Sequence, residues 1–345
     1  MTKVTKSHED FVIVGENIHA TRVVLRKGKR VVMMDGLEAV PFKSDSGALR
    51  YLTVPDWYKD YQPYEQGQIK HFMIALLNGI NGSPEEKEQG AAYLRCEVRR
   101  QVLAGAHFLD INVDEVHYDL EIQKRAMKWA VEIVQEASPI PPSIDSSNSE
   151  IIAEGLAAYN GRSGRPLVNS VALERLESLE MITEHNAKAI VMATSGTGMP
   201  ENEQDRVDNA KVIVEKVTSL GVPLKDIFVD AIVFPISVDA NFGNHYFDAV
   251  REIRTIFGTE IHIGMGLSNV SFGMPKRKLI NKAFIHLALE SGIDAGLIDP
   301  VQTNLRDVFS LDLESESIRL AIEMLLGQDE FCTNYLMAYR DGKLD

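Results

Sequence analysis

Cysteine is scarce: Cys96 and Cys332 are the only two in 345 residues, each on a helical pattern and far from the other. No Cys-x-x-Cys pair exists, so neither a disulfide framework nor a redox dithiol is expected, and both thiols read as reduced and buried in a reducing cytoplasm. Basic charge is also short, with 36 Lys and Arg against 50 Asp and Glu, a net −14 at pH 7. A nucleic-acid binder needs a basic face, so the charge argues against that class, while it leaves room for a local site for an anionic ligand. Long apolar runs are missing too. None reaches ~18 residues, and the opening Met1 to Asp10 stretch has no apolar core, so neither a membrane span nor a signal peptide is expected. The histidines lack His-x-x-x-His or any other ligand spacing, so no metal site is expected. No Gly-x-Gly-x-x-Gly follows an early strand, which disfavours a doubly wound dinucleotide fold.

What is present is a regular alternation in a chain with 45% hydrophobic residues, enough to bury a core. Short apolar runs ending in polar groups fall at 11–18, 107–113, 141–148, 166–171, 187–194, 226–233, 261–263 and 294–299. Helical patterns lie between them. One starts at Ser83, with Pro84 at the first helical position and Glu86 placed for a capping box, and runs to about 105. Others fall at 119–137, 149–159, 173–185, 203–220 and 243–257, and a further helix is expected to open at Leu267 and run through Glu290. Eight strands each followed by a helix predict an α/β fold, a (β/α)8 TIM barrel, as a single domain over 1–345.

One segment departs from that rhythm. The runs 22–26, 30–34 and 49–54 are β-rich, separated by Lys27-Gly-Lys29, Asp35-Gly36 and Ser44 to Gly47. They predict a small antiparallel β insertion after the first strand, at about 22–64, dispensable for folding of the barrel. It closes on an aromatic loop, Asp56 to Tyr64, ahead of a helix expected to begin near Glu65. That loop reads as packing for the insertion, or as a lid or docking surface.

The strand ends carry the chemistry. Asp110 and Asn112 close the second strand, Asp145 and Asn148 the third, Asn169 and Ser170 the fourth, Asp230 the sixth and Asn269 the seventh. Any one of these alone reads best as a helix cap or an ion-pair partner. Packing does not explain the set, because an unpartnered buried charge costs several kcal/mol. In barrels, groups at the carboxyl ends of strands form the active site.

The wording at these ends resembles the methyltetrahydrofolate:corrinoid methyltransferases of the pterin-binding barrel family, a family that also includes dihydropteroate synthase. The matching stretches are Leu109-Asp-Ile-Asn-Val113, Ile144-Asp-Ser-Ser-Asn148, Val168-Asn-Ser170, Phe228-Val-Asp-Ala231 and Gly266-Leu-Ser-Asn-Val-Ser271. Gly15-Glu-Asn-Ile18 resembles the family's first-strand motif but departs from it at Asn17 and His19. The resemblance covers roughly 105–335 and does not cover the insertion. It implies that Asp145, Asn169, Asp230 and Asn269 hold a pterin, with Asp110, Asn112, Asn148 and Ser170 beside them. A pterin's 2-amino-4-oxo edge offers adjacent N–H donors that a carboxylate accepts in bidentate fashion. The implied reaction moves a methyl group between N5 of tetrahydrofolate and the cobalt of a corrinoid (cobalamin), with Asn269 and Asp145 as catalytic groups. No Asp-x-His-x-x-Gly corrinoid module is present, so the corrinoid is expected on a partner protein. His19 is a weak candidate for a general acid. A homodimer in the cytoplasm is expected. Three alternatives stay open at this point: the same barrel acting on another methyl donor or pterin, a non-catalytic pterin-binding protein, and, further behind, dihydropteroate synthase. The last expects a Ser-Arg-Lys-type motif where this chain has Ser268-Asn-Val-Ser271.

Overall fold

The computed structural model describes residues 5–44 and 46–344. Residues 1–4 of the amino-terminal stretch and Asp45 of the third turn lie outside them. The strands, in chain order, are β1 (Val12–His19), β2 (Val23–Leu25), β3 (Val32–Met34), β4 (Leu37–Lys43), β5 (Leu49–Thr53), β6 (Gln68–Lys70), β7 (Phe108–Asn112), β8 (Pro142–Asp145), β9 (Leu167–Val171), β10 (Lys188–Met192), β11 (Ile227–Asp230), β12 (His262–Ile263) and β13 (Ala295–Ile298). Eight of them form one sheet in the order β12-β11-β10-β9-β8-β7-β1-β13, and helices alternate with them along the chain. Asp294 N donates to the Ile263 carbonyl, linking the chain just before β13 to β12. This is the (β/α)8 barrel fold expected from the alternation of apolar runs and helical patterns.

By compactness the chain divides into two units, Gly15–Asn169 and Ser170–Asp345 with Met1–Val14. In the first, β7 pairs in parallel with β8, and β8 with β9, so that Asn112 stands beside Asp145 and Asp145 beside Asn169. The helix Pro84–Leu103 starts as the sequence predicts: Ser83 Oγ accepts from Glu86 N, the Glu86 carboxylate accepts from Ser83 N, and Pro84 opens the first turn. It lies close to β1 because residue 15 is glycine; a Cβ there would collide with Gln101 Oε1. Cys96 is buried on this helix.

The insertion belongs to the same unit and differs in detail from the expected meander. β2 pairs with β6 in a separate two-stranded antiparallel sheet. The three-stranded sheet is β3-β4-β5, and its central strand, β4, is not among the expected runs; it carries Pro41, which disfavours a strand interior. Proline is tolerated there because β3 pairs only with residues 37–39, leaving Pro41 bonded on the β5 side alone. No long helix begins at Glu65 either. A single turn, Gln62–Glu65, ends before Gly67 at φ 77°, and Ile69 then pairs with Val24, so the next long helix is His71–Asn81.

Independence of the insertion is not supported by its packing. Val40, Phe42, Leu52 and Tyr58 are buried, Phe42 meets Tyr93 edge to face at 5.1 Å, and Arg99 Nη2 donates to the carbonyls of Lys43 and Ser44. Replacing residues 24–60 by a Gly-Ser linker is therefore expected to lower the thermal midpoint by more than 10 °C, since each large apolar side chain lost is worth about 1.5–3 kcal/mol. A midpoint within a few degrees of the native one, measured by calorimetry, would restore the view that the segment is dispensable.

In the second unit β10 pairs with β11 and β11 with β12, all parallel. Two helices here differ from expectation. The one predicted from 173 begins only at Ser178. The helix expected to open at Leu267 is instead a 3-10 turn, Leu267–Ser271, and the α-helix starts at Arg277. Gly273 at φ 78°, the restriction Pro275 places on Met274, and Lys276 at φ 52° interrupt it. Cys332 is buried in this unit.

Candidate active site

In the unit Gly15–Asn169, adjacent parallel strands bring four of the expected site residues together. Asp110 sits mid-strand on β7 and is 1% exposed, so it cannot be solvated and must be bonded. Its Oδ1 accepts from Ser143 Oγ at 2.6 Å and from Asn169 Nδ2 at 3.1 Å. Asn112 Nδ2 donates to Asp145 Oδ2 at 2.9 Å, while its Oδ1 accepts from Asp114 N. Asp110 and Asp145 lie close enough to perturb each other, and two buried carboxyls so placed resist ionising together. Burial pushes Asp110 up to about 6 against the pull of Ser143 and Asn169. Burial and then the charge of Asp110 push Asp145 well above the usual carboxylate range.

Asn148, expected beside them, uses its Oδ1 as the N-cap of the helix Ser149–Ala158, accepting from Glu150 N at 2.8 Å. Asp114 braces the same loop, accepting from Ser146 Oγ and from Ser147 N and Oγ. Ser143 and Asp114 were not singled out from the sequence. Ser143 shares the face of β8 with Asp145, two residues on, and strand alternation could have found it.

The first-strand residues that depart from the family motif are occupied elsewhere. Asn17 Nδ2 donates to Glu97 Oε1, and its Oδ1 accepts from Arg22 Nη2. His19 accepts from Thr21 N at Nδ1, and burial lowers its pKa to about 4, which favours the neutral ring near neutral pH. The aromatic loop contributes Trp57 and Tyr61 to a cleft of about 360 Å³ lined also by Asn78 and His117.

In the other unit, Asp230 ends β11 and Asn269 lies on the 3-10 turn after β12. Gly266 brings these two groups to one place: a Cβ there would lie 3.0 Å from Asn269 Nδ2 and 3.9 Å from Asp230 Oδ2. With glycine at 266, φ 33°, that space stays open. Among the described residues the Asn269 carboxamide has no hydrogen-bond partner, so it is uncommitted. Burial raises Asp230 to about 6, opposed by the Ile232 N–H on its Oδ1 and by the nearby Arg206. Ser170 is buried and accepts from Arg175 Nη2 at 3.4 Å. Arg206 and Tyr246, both buried near Asp230, were not foreseen. Among the described residues no group of His, Cys, Asp and Glu is placed to hold a metal, and no helix is long and apolar enough to cross a membrane.

Carboxylates and amides at successive strand ends are the group types that match the donor–acceptor edge of a flat heterocycle. The family described as pterin binding enzyme matches residues 83–299, and the chain belongs to that family. A curated relative, the methylcorrinoid:tetrahydrofolate methyltransferase of Eubacterium limosum, is 30% identical over 284 residues, covering 79% of this chain and 98% of the relative. Among solved structures, dihydropteroate synthase from Stenotrophomonas maltophilia aligns with a TM-score of 0.51 at 16% identity, covering 66% of this chain and 87% of that one. The Xanthomonas albilineans synthase with 4-aminobenzoic acid gives 0.51 at 13%, with the same coverage. At those identities the structural likeness establishes the fold alone.

Proposed function

We propose that this protein is a methyltransferase that moves a methyl group between N5 of tetrahydrofolate and the cobalt of a corrinoid carried by a partner protein. The observation that carries this reading is the cluster Asp110, Asn112, Asp145 and Asn169. It offers carboxylate acceptors flanked by amides, which is what the pterin edge needs, and the near full-length relative is named for this chemistry. Asp145 accepts the pterin N–H groups once it is ionised, and Asp110, Ser143 and Asn112 hold it in place. Asp230 and Asn269 are assigned to the reacting end of the substrate. Asn148 and Ser170 are assigned to the periphery of the substrate.

Transfer onto N5 breaks the carbon–cobalt bond with its electron pair left on cobalt, forms a carbon–nitrogen bond, and leaves N5 positive until a proton departs. Transfer in the other direction needs N5 made a better leaving group by a proton or a strong hydrogen bond. An uncommitted amide can donate to N5 or accept from it, and so stabilises either course without being a strong acid. The cleft beside Trp57 and Tyr61 is the proposed docking surface for the partner, since rigid aromatics make good interface anchors. A homodimer, testable by sedimentation, and a cytoplasmic setting, supported by two buried free thiols, complete the proposal.

The reading is tested by mixing the protein with methylated corrinoid protein and tetrahydrofolate and following the corrinoid spectrum and methyltetrahydrofolate. Absence of transfer in both directions overturns it. A sharper check is Gly266→Ala. The added methyl group would take the space between Asn269 and Asp230, so tetrahydrofolate affinity is expected to fall at least tenfold. The left-handed backbone at 266 costs alanine only about 1–2 kcal/mol, so the fold should persist. Native affinity by calorimetric titration would mean that no ligand enters there.

A further inference from the structure

Arg206 has no exposed surface, and among the described residues no carboxylate lies within ion-pair distance of it. Its bonds go to backbone carbonyls. Nε donates to Ala231 O at 3.0 Å and Ile232 O at 3.3 Å, and Nη1 donates to Asn202 O at 2.7 Å. Among the described residues Nη2 is buried with no partner, and so is the hydroxyl of Tyr246 on the helix Phe242–Phe257. The guanidinium also sits over the Phe234 ring, 5.1 Å from its centroid. A buried cation without an anion is expensive, and an apolar residue would pack this helix face as well. The position of the charge therefore calls for a use.

The two carbonyls held by Nε belong to the residues that directly follow Asp230. Ile232 has φ 59°, an outlier for a β-branched side chain, and its N–H donates to Asp230 Oδ1 at 2.9 Å. A strained turn thus grips the carboxylate, and Arg206 grips the turn. We propose that Arg206 is a positioning residue for Asp230: it clamps the strained turn at 231–232 that aims the carboxylate, and it supplies the positive potential behind it. The inference rests on the assignment of Asp230 to the pterin site.

The surroundings of Asp230 leave that potential to Arg206. The helix Glu203–Ser219 also brings Glu203 and Asp205, and Phe242–Phe257 brings Tyr246 and His245, the latter 3.8 Å from Glu203. On β10 the residue paired with Asp230 is the uncharged Met192. His262 on β12 stacks on Phe228 and is tied to Asp294. Arg206 is the permanent cation of the group.

The test is tetrahydrofolate affinity across pH for the native protein, Arg206→Met, Arg206→Lys, Asp230→Asn and the double variant Arg206→Met/Asp230→Asn. Arg206→Met is expected to lose at least tenfold in affinity near neutrality and to shift the acid midpoint of binding upward by about one pH unit, as loss of a neighbouring opposite charge does. Arg206→Lys should recover the midpoint and only part of the affinity, because it keeps the charge and loses the fork. The double variant should bind no worse than Asp230→Asn alone. The Asp110–Asp145 pair titrates alike in every variant, so differences between profiles isolate Asp230. A variant with a lowered thermal midpoint but native affinity and native pH profile makes Arg206 merely structural, and additive losses in the double variant overturn the link to Asp230. If Arg206→Met fails to fold, Arg206→Lys with and without Asp230→Asn makes the same comparison. Native affinity in Asp230→Asn would instead remove Asp230 from the site, a failure of the functional reading rather than of the clamp.

Discussion

Asp145→Asn is expected to weaken tetrahydrofolate binding at least tenfold near neutral pH while leaving the unliganded protein as stable as the native chain, or more so. The loss follows from chemistry at the pterin edge. A carboxylate offers two acceptors to two N–H donors, whereas an amide turns a donor toward one of them. A lost charge-assisted pair is worth about 1.5–3 kcal/mol, or tenfold to somewhat over a hundredfold. The stability follows from the two buried carboxyls. Asp110 has its folded pKa raised to about 6, above its unfolded value, so the folded state holds more protons between the two. That contribution is fully present below the unfolded value and is lost as pH rises through about 6. A neutral amide at 145 removes the like charge beside Asp110, so the variant should gain on the native protein above about pH 6. The gap should close in acid. Thermal unfolding near pH 5 and pH 8, with calorimetric titration of the ligand, checks both halves. Native affinity removes Asp145 from the site, and a stability difference that ignores pH removes the mutual perturbation of the two carboxyls.

Asn269→Ala is expected to slow methyl transfer by about 10²–10³-fold, the usual cost of removing one preorganised donor, with pterin affinity changed by less than about tenfold. The turn that carries Asn269 is held from several sides. Its N–H donates to Gly266 O, its carbonyl accepts from Phe272 N, and Arg277 reaches back to Ser268 O and Ser271 Oγ. The carboxamide itself is exposed and has no hydrogen-bond partner among the described residues, so it is free to meet a ligand. Stopped-flow transfer with a corrinoid acceptor or donor separates rate from affinity. Should the rate stay native while binding weakens, Asn269 is a clamp and nothing more.

Much of this was legible before the structure. Each of the eight barrel strands is a short apolar run with a polar end, a pattern carried by local sequence, and all eight were read. Segments governed by backbone exceptions were not. β4 carries Pro41 at a point where one side of the strand is unpaired, and no local rule shows where the neighbouring strand stops. The helix looked for at Leu267 is displaced to Arg277 by Gly273, Pro275 and a left-handed Lys276, whose combined effect exceeds that of any one of them. Within the candidate site, Asp110, Asn112, Asp145 and Asn169 could be found because each stands in the polar end of an apolar run, in wording that resembles the family's; parallel register then puts them side by side. Arg206 could not. It is one of several charged residues in a helix whose sequence reads as an exposed face, and only the tertiary packing makes it a buried cation.

The two buried cysteines have a practical consequence. Cys96 lies in one compact unit and Cys332 in the other, and burial raises both thiols, so neither reacts readily in the closed protein. Each must wait for its surroundings to open before a thiol reagent can reach it. The chain therefore carries two native clocks, one per unit. Labelling rates read by mass spectrometry would report how often each part breathes, and whether a bound pterin slows one clock or both.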